Sequence, residues 1–135
     1  METQVIDPWT WQERFGFVQA SAVTGAERVV YCSGQTSMDA DGTPLHEGDI
    51  RAQLAQALDN LEIVLGASGC GLADVVRLDV FTTDVDGFFG ALDVLIGRLQ
   101  EAGCRPASTL VGVSRLALPP LLVELEATAV AGAAE

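Results

Sequence analysis

Apolar positions recur along this chain with two different periods. Over Asp49 to Ser68, the residues Ile50, Leu54, Ala57, Leu58, Leu61, Val64 and Leu65 fall three and four apart. That spacing predicts an amphipathic helix, with Asp49 placed as its N-cap and Gly69 at its C-terminal stop. Asp86 is placed to cap a second helix whose buried stripe is Phe88, Leu92, Leu95, Ile96 and Leu99, ended by Gly103. Elsewhere the period is two. A short run, Thr3 to Ile6, precedes two strands, Phe17 to Val23 and Glu27 to Ser33, with Thr24, Gly25 and Ala26 as their hairpin connection. The continuous apolar run RVVYC predicts that the latter strand is central. Val75 to Thr83 alternates, with Val76, Leu78 and Val80 toward the helices and Arg77, Asp79 and Phe81 away from them.

The last third, Arg105 to Val130, reads as two strand runs separated by a turn at Pro119 and Pro120, which cannot donate backbone hydrogen bonds. In the second run Leu121, Val123, Leu125, Ala127 and Ala129 share one face, opposite Leu122, Glu124, Glu126 and Thr128. The predicted order is β-β-β-α-β-α-β-β, an α+β fold whose mixed sheet carries two helices on one face, in a single domain spanning residues 1–135. The other sheet face mixes Phe81 and Leu122 with acids that cannot be buried unpartnered, which pairing with other subunits would resolve. Arg77 is the strand cation placed to offset one of the two glutamates. Arg115 is the other, on the side of Thr109, Val111 and Val113.

Composition narrows the function classes. Nineteen acids against seven basic residues give a net charge of −12, which repels phosphate backbones and anionic membrane surfaces. Nucleic acid and membrane are therefore not expected partners. No apolar run approaches the length of a membrane span and the N-terminus lacks a signal pattern, so a cytoplasmic location is expected. Cys32, Cys70 and Cys104 are widely spaced and the lone His46 lies in the polar loop DADGTPLHEGD, so neither a disulfide frame nor a metal site is read, and no cofactor is called for. Cys32, beside Ser33, is read as a packing residue on an apolar strand, with nucleophilic chemistry as its alternative. Trp9, Trp11, Phe15 and Phe17 concentrate the aromatic side chains in one segment. They serve either as packing or as an aromatic wall over a small-molecule pocket.

Five spaced motifs then carry a resemblance: SGQ at Ser33 to Gln35, QALDNLEIVLGASG at Gln56 to Gly69, DVVRLDVFTTD at Asp74 to Asp84, PASTLVGVSRL at Pro106 to Leu116, and VELEATAV at Val123 to Val130. Together they resemble the Rid family, the RidA-like or YjgF-like reactive intermediate deaminases once called L-PSP endoribonucleases. The resemblance implies a chorismate-mutase-like fold, a homotrimer with a central barrel, and small-molecule clefts between subunits. It also implies hydrolysis of imines and enamines to carbonyl compounds and ammonia. By position, Glu124 matches the glutamate that orients the attacking water, and Ser33 and Gly34 match residues lining the cleft. Phe17 stands where the family has a tyrosine, Leu92 where it has an asparagine, and Ser108 where an arginine holds the substrate carboxylate. Leu110 joins them on the Ser108 strand.

Hydrolysis of a C=N bond needs water delivered to carbon and a proton given to nitrogen, and a half-buried carboxylate can assist both steps. Without a cation at position 108, a 2-imino acid loses a charge-assisted contact worth roughly 1.5 to 3 kcal/mol. The residues therefore point to a deaminase or hydrolase of other imines or enamines, or to a trimer that binds a small metabolite in the same cleft without deaminating it. Ribonuclease activity does not suit a chain this acidic. Whether Arg14 or Arg105 reaches the cleft to replace the missing cation is left to the structure.

Overall fold

In the computed structural model, which describes residues 1–132, the chain forms β1 (Glu2–Ile6), β2 (Ala20–Thr24), β3 (Arg28–Tyr31), α1 (Ile50–Ala67), β4 (Val75–Thr82), α2 (Val85–Gly90), α3 (Leu92–Ala102), β5 (Ala107–Gly112) and β6 (Val123–Ala131). A mixed four-stranded sheet has the order β3-β6-β4-β5. The fold is α+β, as expected from the alternation of periods.

Helix α1 begins where the pattern placed it. The Asp49 side chain accepts a hydrogen bond from the Ala52 backbone N–H at 3.0 Å, a cap whose removal typically costs about 1 kcal/mol. Leu54, Ala57, Leu58, Leu61 and Leu65 are fully buried against the sheet. Val64 is instead exposed, as is Ile63; the Leu54–Leu61–Leu65 stripe already fills the sheet-facing side. The second predicted helix is two, interrupted at Ala91, just after Gly90, a poor helix former. Its cap is Asp84 rather than Asp86, with Asp84 Oδ1 accepting from Gly87 N–H at 2.9 Å. The capping residue must sit outside the first turn, and Asp86 is already inside it.

Strand pairing departs from the predicted hairpin. β2 pairs antiparallel with β1, from Glu2↔Thr24 to Ile6↔Ala20, while β3 pairs with β6. An isolated bridge between Val18 and Ala107 joins this ribbon to the edge of the main sheet. β3 is an edge strand rather than a central one, and Val29 and Tyr31 are exposed on it. A continuous apolar run marks two faces that shun water, but a strand can leave one of them for a partner outside the protomer.

The last two strands do not pair with each other. β4 lies between them, parallel to β5 and antiparallel to β6. The turn at Pro119–Pro120 is closed by Leu121 N–H to Leu118 O at 3.0 Å and held from beneath by buried Gln53. Gln53 donates to Pro120 O at 2.9 Å and accepts from Leu122 N–H at 2.8 Å. On β4 the core positions are Val75, Leu78, Val80 and Thr82; Val76 is displaced from the core side by a register shift between Val75 and Arg77. On β6, Val123, Leu125, Ala127 and Ala129 are buried against the helices, as the alternation required. The opposite face carries Arg77, Asp79, Phe81, Glu124, Glu126 and Thr128 in facing pairs, Phe81 beside Glu124 and Asp79 beside Glu126.

Candidate functional site

The candidate residues fall into two groups on opposite sides of the sheet. Ser108 and Leu110 on β5 lie beside Leu78 and Val80 of β4, so their side chains rise toward the helices. There they meet Phe17, Leu92 and Leu95 in a cavity of about 210 Å³ that is also lined by Trp11, Phe15, Val80, Phe88 and Phe89. Four of the expected residues, Phe17, Leu92, Ser108 and Leu110, therefore converge.

The wall of this cavity is aromatic by construction. A single turn of 3-10 helix, Glu13–Phe15, ends at Gly16 in the left-handed region at φ 83°, a conformation that costs a side-chain-bearing residue roughly 1 kcal/mol or more. The reversal turns Phe15 and Phe17 to the same cavity. Trp11 meets Phe17 edge to face with centroids 6.0 Å apart, and Phe15 meets Phe89 at 6.2 Å. The segment is pinned by a polar knot in which buried Gln12 donates to Asp7 at 3.1 Å and accepts from Gln19 at 2.6 Å. Trp9 is exposed and stands outside this wall. Phe88 and Phe89 were not legible as site residues in the sequence, where Phe88 appears only as part of a helical stripe. The Asp84 cap, which places both rings in the first turns of α2, is the signal that could have found them.

The second group lies on the other face. Glu124 sits beside Phe81 and leans over Gly34: a Cβ built on Gly34 would lie 1.8 Å from Glu124 Oε1. Only glycine permits this approach. The contact is held in register by two backbone hydrogen bonds between Gln35 and Leu125, at 2.7 and 2.9 Å. Ser33 is exposed beside it. Burial pushes the Glu124 carboxyl above the usual carboxylate range, and the charge of Glu126 adds to the shift. Ser33, Gly34 and Glu124 thus form a second cluster, away from the aromatic cavity within one protomer.

Neither arginine considered as a replacement cation lines the aromatic cavity of its own chain. Arg105 pairs with Asp7 at 3.5 Å and does not line the aromatic cavity. Arg14 stacks its guanidinium on the outer Phe15 ring at 4.7 Å from the centroid and is not among the lining residues either. Arg77 does not pair with a glutamate: it forms an ion pair with Asp79, its Nε–H donating to Oδ2 at 3.3 Å and its Nη2 lying 3.1 Å from Oδ1, and it donates to Thr109 at 2.8 Å. Its neighbour across the strand is Thr128, which leaves Asp79, on its own strand, as the acid within reach. Arg115 lies beyond the end of β5, not within a strand, and donates to the carbonyls of Leu116 and Ala117.

Cys32, Cys70 and Cys104 are free and buried. Burial raises the thiols of Cys32 and Cys104, the latter to about 12, so both stay protonated and pack as apolar groups. His46 is exposed in its loop, and no cluster of metal-ligating side chains occurs among the described residues. None of the described helices is long and apolar enough to cross a membrane.

The chain is thus an α+β fold with a small aromatic cavity behind its sheet and a close-packed carboxylate on the open face. The profile of the Endoribonuclease L-PSP family matches residues 13–131, and the chain belongs to that family, also called Rid or YjgF. It is 34% identical over 113 residues to the RutC family protein slr0709 of Synechocystis, covering 83% of each chain. It is 35% identical over 107 residues to the 2-iminobutanoate/2-iminopropanoate deaminase of Rattus norvegicus, covering 78% of this chain and 75% of that one. The crystal structure of the Rid-family protein YyfB from Yersinia pestis superposes with a TM-score of 0.87 at 36% identity, covering 97% of this chain and 100% of that chain.

Proposed function

We propose that this protein is a cytoplasmic homotrimer that hydrolyses reactive imine or enamine intermediates other than the standard 2-imino acids. Its site is completed between subunits, where the Ser33–Gly34–Glu124 cluster of one protomer faces the Phe17–Ser108 cavity of the next. The observation that carries this reading is the separation itself. A carboxylate packed against a glycine, with raised proton affinity and a mixed polar and apolar sheet face around it, does not line the aromatic cavity of its own protomer. A neighbouring protomer would supply one and would cover Val29, Tyr31 and the edge of β3.

In this site Glu124 deprotonates water as it attacks the imine carbon, and the C=N bond becomes a C–N bond in a carbinolamine. Glu124 returns that proton to nitrogen, then carries the carbinolamine hydroxyl proton to the amine nitrogen as the C–O bond becomes C=O, the C–N bond breaks, and a carbonyl compound and ammonia leave. A carboxyl held above its ordinary range is suited to both steps near neutrality. The relatives named deaminases act on 2-iminobutanoate and 2-iminopropanoate. Here no cation lines the cavity, which disfavours carboxylate substrates by roughly tenfold to a hundredfold or more.

The same observation favours a second reading, a trimer that binds a small metabolite without deaminating it. Ammonia release from imines generated in situ by an amine or amino-acid oxidase separates the two. The hydrolase reading expects release from a neutral imine, loss in Glu124→Gln, and a gain on 2-iminopropanoate in Ser108→Arg. No release from any imine by a folded trimer would establish the binding reading. A monomer by sedimentation would remove the inter-subunit site altogether.

A further inference from the structure

The ligand class can be taken further, on the footing that the aromatic cavity is the part of the proposed site that receives the substituent on the imine carbon. Its ten lining residues include no charged side chain, and Ser108 and Trp11 are the only ones able to hydrogen-bond through their side chains. The chain has no lysine, and its seven arginines are Arg14, Arg28, Arg51, Arg77, Arg98, Arg105 and Arg115. Each has another engagement. Arg28 donates to Ser68 O, Arg51 pairs with Asp93, and Arg98 bridges Asp59 and Glu62. Arg77 and Arg105 pair with Asp79 and Asp7, Arg115 bonds its own loop, and Arg14 stacks on Phe15.

Size and shape add a second constraint. A dry cavity of about 150 Å³ walled by Leu, Ile and Phe takes up benzene, and the cavity here holds about 210 Å³ between Phe15, Phe17, Phe88 and Phe89. That is room for one six-membered ring and a short substituent. Rings placed edge to face around it, such as Trp11 against Phe17 and Phe88 against Phe89 at 6.1 Å, suit another aromatic ring better than a hydrated group.

We propose that this cavity selects neutral imines whose carbon bears an aromatic or branched aliphatic group, with Ser108 and the Trp11 indole as its polar contacts. The reaction is R–CH=NH plus water giving R–CHO plus ammonia: the C–O bond forms at the imine carbon, the C–N bond breaks, and no oxidant or reductant is needed.

The test compares two ligands that share a ring and differ in charge. Titration calorimetry of the wild-type protein with phenylacetamide and phenylacetate is expected to show the amide binding at least about tenfold more tightly, the size of one lost charge-assisted contact. Ser108→Arg is expected to reverse that order, whereas Arg14→Gln leaves it unchanged. Equal or tighter binding of phenylacetate by wild type, or binding of neither, overturns the assignment. Turnover is read separately, as ammonia from benzaldimine and from 2-iminopropanoate. Tight, charge-selective binding without ammonia release upholds the ligand class and removes the hydrolase reading. Hydrolysis of 2-iminopropanoate as fast as benzaldimine overturns the ligand class and leaves the hydrolase reading standing.

Discussion

The two faces of the β6-β4-β5 sheet hold the two halves of the candidate site, and they are built on opposite principles. On the helix side, Phe17, Leu92, Ser108 and Leu110 belong to a cavity whose walls are also the hydrophobic core: Phe88, Leu95 and Val80 are each 5% exposed or less. On the open side, Glu124 is half-buried, beside Phe81, within reach of the charge of Glu126 and against a glycine. The first half gets its shape from packing that the fold needs anyway. The second holds a carboxylate in surroundings that disfavour its charge, which stability alone would not select. Recognition and chemistry can therefore be perturbed separately.

The largest effect is expected from Glu124→Gln, which keeps the shape and removes the base. Turnover of a neutral imine should fall about 10²- to 10⁴-fold, with phenylacetamide affinity little changed; an equal loss of both would join the two halves into one. Phe88→Ala makes the opposite cut. It should destabilise the protein by about 3 to 5 kcal/mol and abolish phenylacetamide binding, measured by thermal unfolding and calorimetry. Gly34→Ala places a methyl where the carboxylate lies and forces it aside, so turnover should drop about 10²-fold for a displacement of roughly an ångström. Its unfolding midpoint should stay near wild type, because Gly34 is exposed.

Asp84→Ala removes the cap of the helix that carries Phe88 and Phe89 and should cost about 1 kcal/mol by denaturant unfolding, with a small loss of ligand affinity. The smallest effect is in the pH profile. Glu124 is raised first by burial and second by the Glu126 charge, and hydrolysis needs its ionised form, so activity falls as pH drops through the raised pKa. Glu126→Gln should move that acid limb to lower pH without restoring an ordinary carboxylate value. The linkage has the matching sign: ionising Glu124 costs stability, a cost absent below the unfolded pKa and fully present above the folded one. The variant should therefore be slightly more stable than wild type at neutral pH and indistinguishable from it in acid.

The readings that succeeded and failed divide along the range of the interactions concerned. Helix α1, its Asp49 cap, the two-faced β6 and the turn at Pro119–Pro120 were all legible, because each depends on residues a few positions apart. The pairing of β2 with β1, the edge position of β3 and the shift at Val76 were not. A strand's alternation says which residues share a face, but not which strand lies beside it or where a bulge moves the register. Among site residues, Phe17, Leu92, Ser108 and Leu110 were named from the family resemblance and meet in one cavity. The presence of Phe88 and Phe89 beside them depends on how α2 is set against the Trp11–Phe17 segment, about seventy residues away in the chain.

The sequence by itself determined the α+β alternation, the net charge of −12, the family, and the absence of lysine. These follow from composition, local periodicity and motif spacing, which do not depend on how distant segments meet. Only the tertiary structure decided that Ser108 and Glu124 lie on opposite faces of one sheet and that no arginine lines the aromatic cavity. Sidedness and charge pairing are set by strand order and packing, in which residues far apart in the chain become neighbours.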